Sequence, residues 1–321
     1  MILAGIDEAG FGPVLGPLVV SATVLQVPDG SADECLWGRL ASAVVRKPAR
    51  RKGRIAIGDS KKLYSRQNGA GLEHLERGVL AAMLGCGEPC RTLRGLLQRV
   101  CPGALAQVDT YPWYAELDSA IPSCISETDL TLAANALSTA MQAAEVSVLE
   151  LVSEPVFAGE YNRLTEGTNN KSVTLMGVAW RLVMRIWESM RGGRARVYVD
   201  RQGGRSHYLR PLQQIFPGCE MKVLDESSRL SAYRVSDGRR EMELHFLVKG
   251  DEHQLPVALA SMLSKYLREQ LMGRFNSFWS REIPEIEPTS GYYVDGNRFF
   301  QEILPGIERL GLDRRIIYRE R

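Results

Sequence analysis

Three short apolar segments, far apart in the chain, each run into acidic residues, and this recurrence constrains the fold more than any other feature. Residues 1–6 end on Asp7 and Glu8, residues 196–199 end on Asp200, and residues 241–248 lead into Gly250 and Asp251. Branched and aromatic side chains concentrated over so short a span read as buried strands. In an α/β sheet, strands that share an edge bring residues distant in sequence together there, and ligands settle at that edge. A carboxylate alone at a strand end is ordinarily a solvated charge. Several converging on one place repel one another unless a cation joins them. Oxygen donors of this kind favour Mg2+ or Mn2+, and such ions suit phosphodiester hydrolysis. Asp7, Glu8, Asp200 and Asp251 are therefore the candidate catalytic and metal-binding residues.

The intervening sequence supplies the rest of an α/β pattern. Residues 18–24 form a second expected strand, separated from the first by the Gly/Pro stretch 10–17. The basic run 46–54 leads to a loop over 58–63, ahead of a helix expected to begin near Ser65. Residues 71–126 gather cysteines, four prolines and the aromatic residues Tyr111, Trp113 and Tyr114, and read as an insertion. A helix over 129–144, a strand over 146–156 and a helix over 172–190 follow. The last is expected to turn Val173, Met176, Val178, Ala179, Leu182, Val183 and Ile186 inward. A strand over 196–200 precedes a break at Gly203 and Gly204. Antiparallel strands are expected over 220–224, 231–235 and 241–248, with a turn at Asp237-Gly238. A long helix over 255–278, a loop over 289–297 and a short helix from Arg298 close the chain. The fold class is α/β, a mixed sheet flanked by helices. The expected organisation is a catalytic domain over 1–275, with insertions about 71–126 and 225–240, and a substrate-contacting loop and helix over 276–321 packed on it.

Composition narrows the function less than the acids do. The balance of 40 basic and 38 acidic residues, net +2, neither demands nor excludes a polyanionic partner. No basic leader or cleavage site precedes Asp7, and no long charge-free apolar run follows, so a cytoplasmic protein away from membranes is the default expectation. The cysteines are too sparse for a disulfide scaffold. Cys86, Cys90 and Cys101, with His74 upstream, lack the paired spacing of a zinc ribbon and are expected to be structural thiols.

The local sequence around the acids is more specific. Gly5-Ile6-Asp7-Glu8-Ala9-Gly10-Phe11-Gly12-Pro13-Val14-Leu15-Gly16-Pro17-Leu18-Val19-Val20 closely resembles the opening motif of the ribonuclease HII family. Asp59-Ser60-Lys61-Lys62-Leu63 resembles its second block, Val199-Asp200 its third-acid strand and Lys249-Gly250-Asp251 its fourth-acid segment. Ala260-Ser261-Met262-Leu263-Ser264-Lys265, with Arg268 and Met272, is similar to the helix that follows, and Gly291-Tyr292 to the tyrosine loop. The blocks stand in family order from Asp7 to Tyr292.

The resemblance implies a ribonuclease H-like fold and an endoribonuclease acting on RNA/DNA hybrids or on ribonucleotides embedded in duplex DNA. Its products would carry a 3′-hydroxyl and a 5′-phosphate. Asp7, Glu8, Asp200 and Asp251 would share Mg2+ or Mn2+, and no obligate protein partner is implied. Gly10, Phe11 and Gly12 would form the loop that reads the 2′-hydroxyl. Lys61, Lys62 and Lys265 would hold phosphates, Ser60 would belong to the substrate-binding residues beside them, and Tyr292 would stack on the sugar. The chain departs from the type HII pattern in carrying Phe11 where arginine is usual, and its Val294-Asp295 resembles type HIII more. The alternatives are a metal-dependent nuclease of the same fold with another nucleic-acid substrate, and a protein that binds hybrids without turnover.

Overall fold

The computed structural model describes residues 1–48, 53–64, 71–87, 89–201 and 205–320. The expected helix start near Ser65 and the break at Gly203 and Gly204 lie outside these residues, as does part of the basic run 46–54. The chain opens with β1 (Ile2–Ala9), β2 (Leu18–Gln26) and α1 (Leu36–Arg39), followed by the two-residue strands β3 (Val44–Val45) and β4 (Ile55–Ala56). Then come α2 (Ser60–Leu63), α3 (Glu73–Leu84), α4 (Leu93–Val100), α5 (Pro102–Val108) and α6 (Glu127–Ala143). The middle of the chain forms β5 (Ser147–Val156), α7 (Ala158–Thr168), α8 (Lys171–Ser189), β6 (Gly193–Asp200) and α9 (Leu209–Ile215). The meander β7 (Glu220–Glu226), β8 (Leu230–Ser236) and β9 (Arg240–Leu247) leads into α10 (Gly250–His253), α11 (Leu255–Glu282) and α12 (Tyr293–Leu310).

Among the described residues the main sheet has seven strands in the order β5-β2-β1-β6-β9-β8-β7. The pairs β1–β2, β2–β5, β7–β8 and β8–β9 are antiparallel, whereas β1–β6 and β6–β9 are parallel. The three central strands therefore run the same way. All three deliver their C-terminal ends to one edge, where β1 and β6 carry Asp7, Glu8 and Asp200.

Each face of the sheet is covered. Alternation along β1 sends Leu3 to one face and Ala4 and Ile6 to the other. The Leu3 face receives α11, whose residues from Leu255 to Met272 are buried almost without a break, so that it is covered on every side and its polar residues Ser261, Ser264, Arg268 and Glu269 are buried with the apolar ones. The opposite face receives α8. There Leu175, Trp180 and Trp187 are buried, while the expected core residues Val173 and Met176 are only half-buried. The inward stripe is rotated relative to the expected one because the bulky tryptophans bury more apolar area facing the sheet.

Further differences separate expectation from structure. The segment 71–126 carries α3, α4 and α5, and Leu75, Leu97, Tyr111, Trp113 and Tyr114 join the α11-side core. Helix α11 runs unbroken across residue 275, so the expected division falls inside a helix. Helix α12 starts at Tyr293, five residues before the expected Arg298. Asp295 sits in its first turn, where a carboxylate suits the helix dipole, and accepts hydrogen bonds from Thr289 and Ser290. Helix α7 was not anticipated. Its buried Asn162 donates to the carbonyls of Arg315 and Tyr318, an anchor supplied by tertiary structure. Among the described residues no helix is long and apolar enough to cross a membrane.

Candidate active site

The parallel register fixes the site. Ile6 lies opposite Val199 in the β1–β6 ladder, so Asp7 and Asp200 follow side by side as the two strands end. Alternation places Asp7 on the same face as Leu3, and Asp200 on the same face as Tyr198, which belongs to the same α11-side core. Strand β9 pairs Leu247 with Asp200. Asp251 is not itself the end of that strand, as the sequence suggested. It lies in the first turn of α10, reached through Lys249, whose backbone is left-handed at φ 57°. This sharp turn folds the chain back, and the Gly250 amide donates to Asp200 Oδ1 at 2.7 Å.

These acids open onto a groove of about 790 Å³. Its lining holds Asp7, Glu8, Asp200 and Asp251 together with Gly10, Phe11, Gly12, Ser60, Lys61, Lys62, Lys265 and Tyr292. Every candidate site residue from the sequence thus stands on one groove. Asp59, Arg201, Lys249, Glu252 and Ser261 also line it; Asp59, Lys249 and Ser261 fall within the resembling blocks, but none of the five carried an expected site role. Asp59 carried a signal that went unused: a residue whose side chain caps a helix start, here accepting from the Lys61 amide at 2.9 Å.

The carboxylates perturb one another. Burial raises the Asp7 pKa well above the usual carboxylate range, and the charges of Glu8 and Asp200 push it further. Asp200 is pushed up to about 6 by burial and by Asp251, against the opposing Gly250 amide. Asp251 is raised by burial and then by Asp59 and Glu252. Behind Asp7 a buried polar seam holds the strand end. Ser264 donates to the Asp7 carbonyl at 3.0 Å, and its hydroxyl meets that of Ser21 at 2.8 Å. Ser261, hydrogen-bonded to the Asp7 carboxylate, also meets Ser60 at 3.0 Å, which ties α2 to the site.

The lysines divide into two kinds. Lys62 is paired with Asp59 at 3.0 Å and Glu252 at 2.9 Å. Lys265 is paired with Glu269 at 2.8 Å and lies over the Tyr64 ring. Lys61 is exposed and makes no ion pair with any described residue, while its charge favours the ionised forms of Asp200 and Asp251. Tyr292 is half exposed, with its ring edge facing Gly12. Phe11 lines the groove but is half-buried against the α8-side core, with Lys171 5.7 Å above its ring.

Among the described residues no group of three His, Cys, Asp or Glu side chains is gathered tightly enough to hold an ion as it stands. The donor chemistry nonetheless fits a hard divalent cation. The converging groups are carboxylates, and their mutual elevation of pKa is the strain that a cation relieves. The cysteines lie elsewhere. Cys101 is buried in the α11-side core, and Cys86, raised to about 11 by burial, donates to the carbonyls of Ala82 and Val148.

No protein-family model and no curated protein matches the chain. Among solved structures, it is similar to a chain of the PCNA:RNase HII complex from Archaeoglobus fulgidus, at 17% identity and a TM-score of 0.45, covering 100% of this chain and 95% of that one. It is similar to Bst-RNase HIII in complex with Mn2+, at 13% identity and TM-score 0.43, over 99% of this chain and 66% of that one. The ribonuclease H2 from Pyrococcus horikoshii is similar at 15% identity and TM-score 0.42, over 99% and 92% of the two chains. Likeness at this level leaves the chemistry to be argued from the groove itself.

Proposed function

We propose that the chain is a divalent-metal-dependent endoribonuclease that hydrolyses the RNA strand of RNA/DNA hybrids, or ribonucleotides embedded in duplex DNA, leaving 3′-hydroxyl and 5′-phosphate ends. The observation that carries this reading is the groove in which acids from β1, β6 and α10 meet basic and glycine-loop residues. Asp7, Glu8, Asp200 and Asp251 would hold Mg2+ or Mn2+. When bound, such ions supply Lewis-acid stabilisation of charge at a scissile phosphate and lower the pKa of water. Uncompensated, the same acids would repel a phosphodiester, which is why a binding module without metal is the weaker alternative.

The protein's own groups supply position. Lys61 is the cation best placed for a phosphate, because Lys62 and Lys265 are already engaged with carboxylates. Tyr292, at the groove wall beside Gly12, offers a ring face to a sugar. Phe11 has no side-chain donor, so any reading of a 2′-hydroxyl by this loop falls to backbone amides.

The test uses purified protein with Mg2+ or Mn2+ and three matched duplexes: RNA/DNA, DNA with one ribonucleotide, and all-DNA. Cleavage confined to the ribonucleotide-containing duplexes is expected. Cleavage of the all-DNA duplex alone would move the reading to another substrate, and tight hybrid binding without cleavage would move it to a binding protein. A second expectation concerns Lys61→Met, which should weaken binding of all duplexes alike and lower the slope of log affinity against log salt by about 1. An unchanged slope in a fluorescence-anisotropy titration would remove Lys61 from the phosphate track.

A further inference from the structure

Arg319 is almost fully buried, 2% exposed, and reaches the glycine loop from the segment after α12. Tyr318 is bridged to Leu15, and the Arg319 amide donates to the Val14 carbonyl at 2.8 Å, so the backbone of this segment is laced to the loop's far side. Its guanidinium donates to the Gly10 carbonyl at 2.6 Å and to the Phe11 carbonyl at 3.2 Å. The Tyr161 ring, 4.1 Å away, covers the cation. Among the described residues no carboxylate pairs with it. Burial holds its pKa down to about 10, which still leaves it charged at neutral pH.

A buried guanidinium spent on two consecutive carbonyls has a geometric consequence. The peptide groups joining residues 10 to 11 and 11 to 12 are trans, so each N–H points opposite to its own C=O. With both carbonyls turned inward to Arg319, the N–H groups of Phe11 and Gly12 are turned away from it. Neither finds an acceptor among the described residues, and both residues line the groove, Gly12 exposed. The charge of Arg319 also polarises these peptide groups and strengthens the N–H groups as donors. Gly10 permits the arrangement. Its φ of +90° suits glycine, and a Cβ there would meet the Arg268 Nε at 2.5 Å and the Pro17 carbonyl at 2.6 Å.

We infer that Arg319 is a positioning residue for the nucleic-acid site: it locks two successive peptide groups so that the Phe11 and Gly12 amides together receive an oxygen of the substrate strand. The inference rests on the proposed function for the identity of that strand. The oxygen is a 2′-hydroxyl or a phosphate oxygen, and the experiment separates the two.

Amide resonances of Phe11 and Gly12 are recorded by NMR for the unmodified protein, Arg319→Lys and Arg319→Met, alongside kcat/KM on the hybrid and the Mn2+-induced rise in melting temperature. Arg319→Met should move both resonances and lower kcat/KM by between about 10- and 100-fold. The Mn2+ response should stay unchanged, because the carboxylates are untouched, and Arg319→Lys, which keeps a donor, should recover part of the loss. Binding that falls only for ribonucleotide-containing duplexes assigns the oxygen to the 2′-hydroxyl, and binding that falls equally for all-DNA duplex assigns it to phosphate. Unmoved resonances, or full activity in a folded Arg319→Met protein, overturn the inference. If the unmodified protein cuts no duplex, the functional reading fails by itself, and the two resonances still decide whether Arg319 sets the loop.

Discussion

Replacing Asp200 with asparagine is expected to abolish turnover and yet make the metal-free protein more stable, and Asp7→Asn should behave the same way. The sign follows from where the carboxylates titrate. Asp200 titrates near 6 in the folded protein, against an ordinary value of 3.8, and Asp7 is also raised. A group whose folded pKa lies above its unfolded value favours the protonated fold. Stability from Asp200 is therefore fully present below about 3.8 and is lost as pH rises toward 6. At pH 7.5 the ionised carboxylate is a cost that neutral asparagine removes. The full shift corresponds to about 3 kcal/mol, and solvent relaxation at the groove reduces it to roughly 1–2 kcal/mol. A rise in melting temperature of roughly 2–3 °C without metal follows. Asparagine keeps the acceptor for the Gly250 amide, so the loop should survive.

With Mn2+ the order reverses. The unmodified protein should gain about 3 kcal/mol at a metal concentration one hundred times its Kd, whereas either variant should gain much less. Turnover should fall by about 10³-fold or more, since several kcal/mol of charge stabilisation at the phosphate are at stake. Differential scanning fluorimetry at pH 7.5 with and without Mn2+ separates these effects. Variants that lose stability without metal and keep the full metal response would contradict a shared carboxylate site.

How much of this was legible in the sequence depends on whether local chemistry or chain closure decided it. Asp7, Glu8 and Asp200 could be read because an apolar strand ending on an acid is a local signal, and parallel pairing of β1 with β6 turns it into a site. Asp251 was legible as a residue but not as a conformation, since the left-handed Lys249 and the turn into α10 are set by contacts with Asp200. The inward stripe of α8 was misread at Val173 and Met176 because helical periodicity fixes the spacing of a face and not its rotation against a sheet. Arg319 gave no signal at all. One arginine among many acquires a role only when the segment after α12 returns to a loop 308 and 309 residues earlier.

Closure of the same kind leaves no room for a side chain at Gly5. A Cβ on Gly5 would sit 2.2 Å from the Pro256 carbonyl carbon and 2.2 Å from the Val257 nitrogen, both backbone atoms of α11. Flexible side chains can turn aside from such a clash, but a helix backbone cannot. Gly5→Ala must therefore lift α11 from β1, loosening a helix buried on every side. Overpacking of this kind typically costs about 1–3 kcal/mol, and displacement of a whole element belongs at or beyond the upper end. A fall in melting temperature of roughly 4–6 °C is expected. Activity should fall with it in the folded fraction, because Ser261 and Ser264 of α11 hold Asp7 two residues further along β1. Gly273, on the same helix, provides the control: a Cβ there meets nothing within 4 Å. Gly273→Ala should stabilise by about 0.5–1 kcal/mol through helix propensity alone. Urea denaturation of the two variants distinguishes steric closure from a general intolerance of alanine, and equal stability of Gly5→Ala and the unmodified protein would mean that α11 does not lie against β1 as closely as the structure has it.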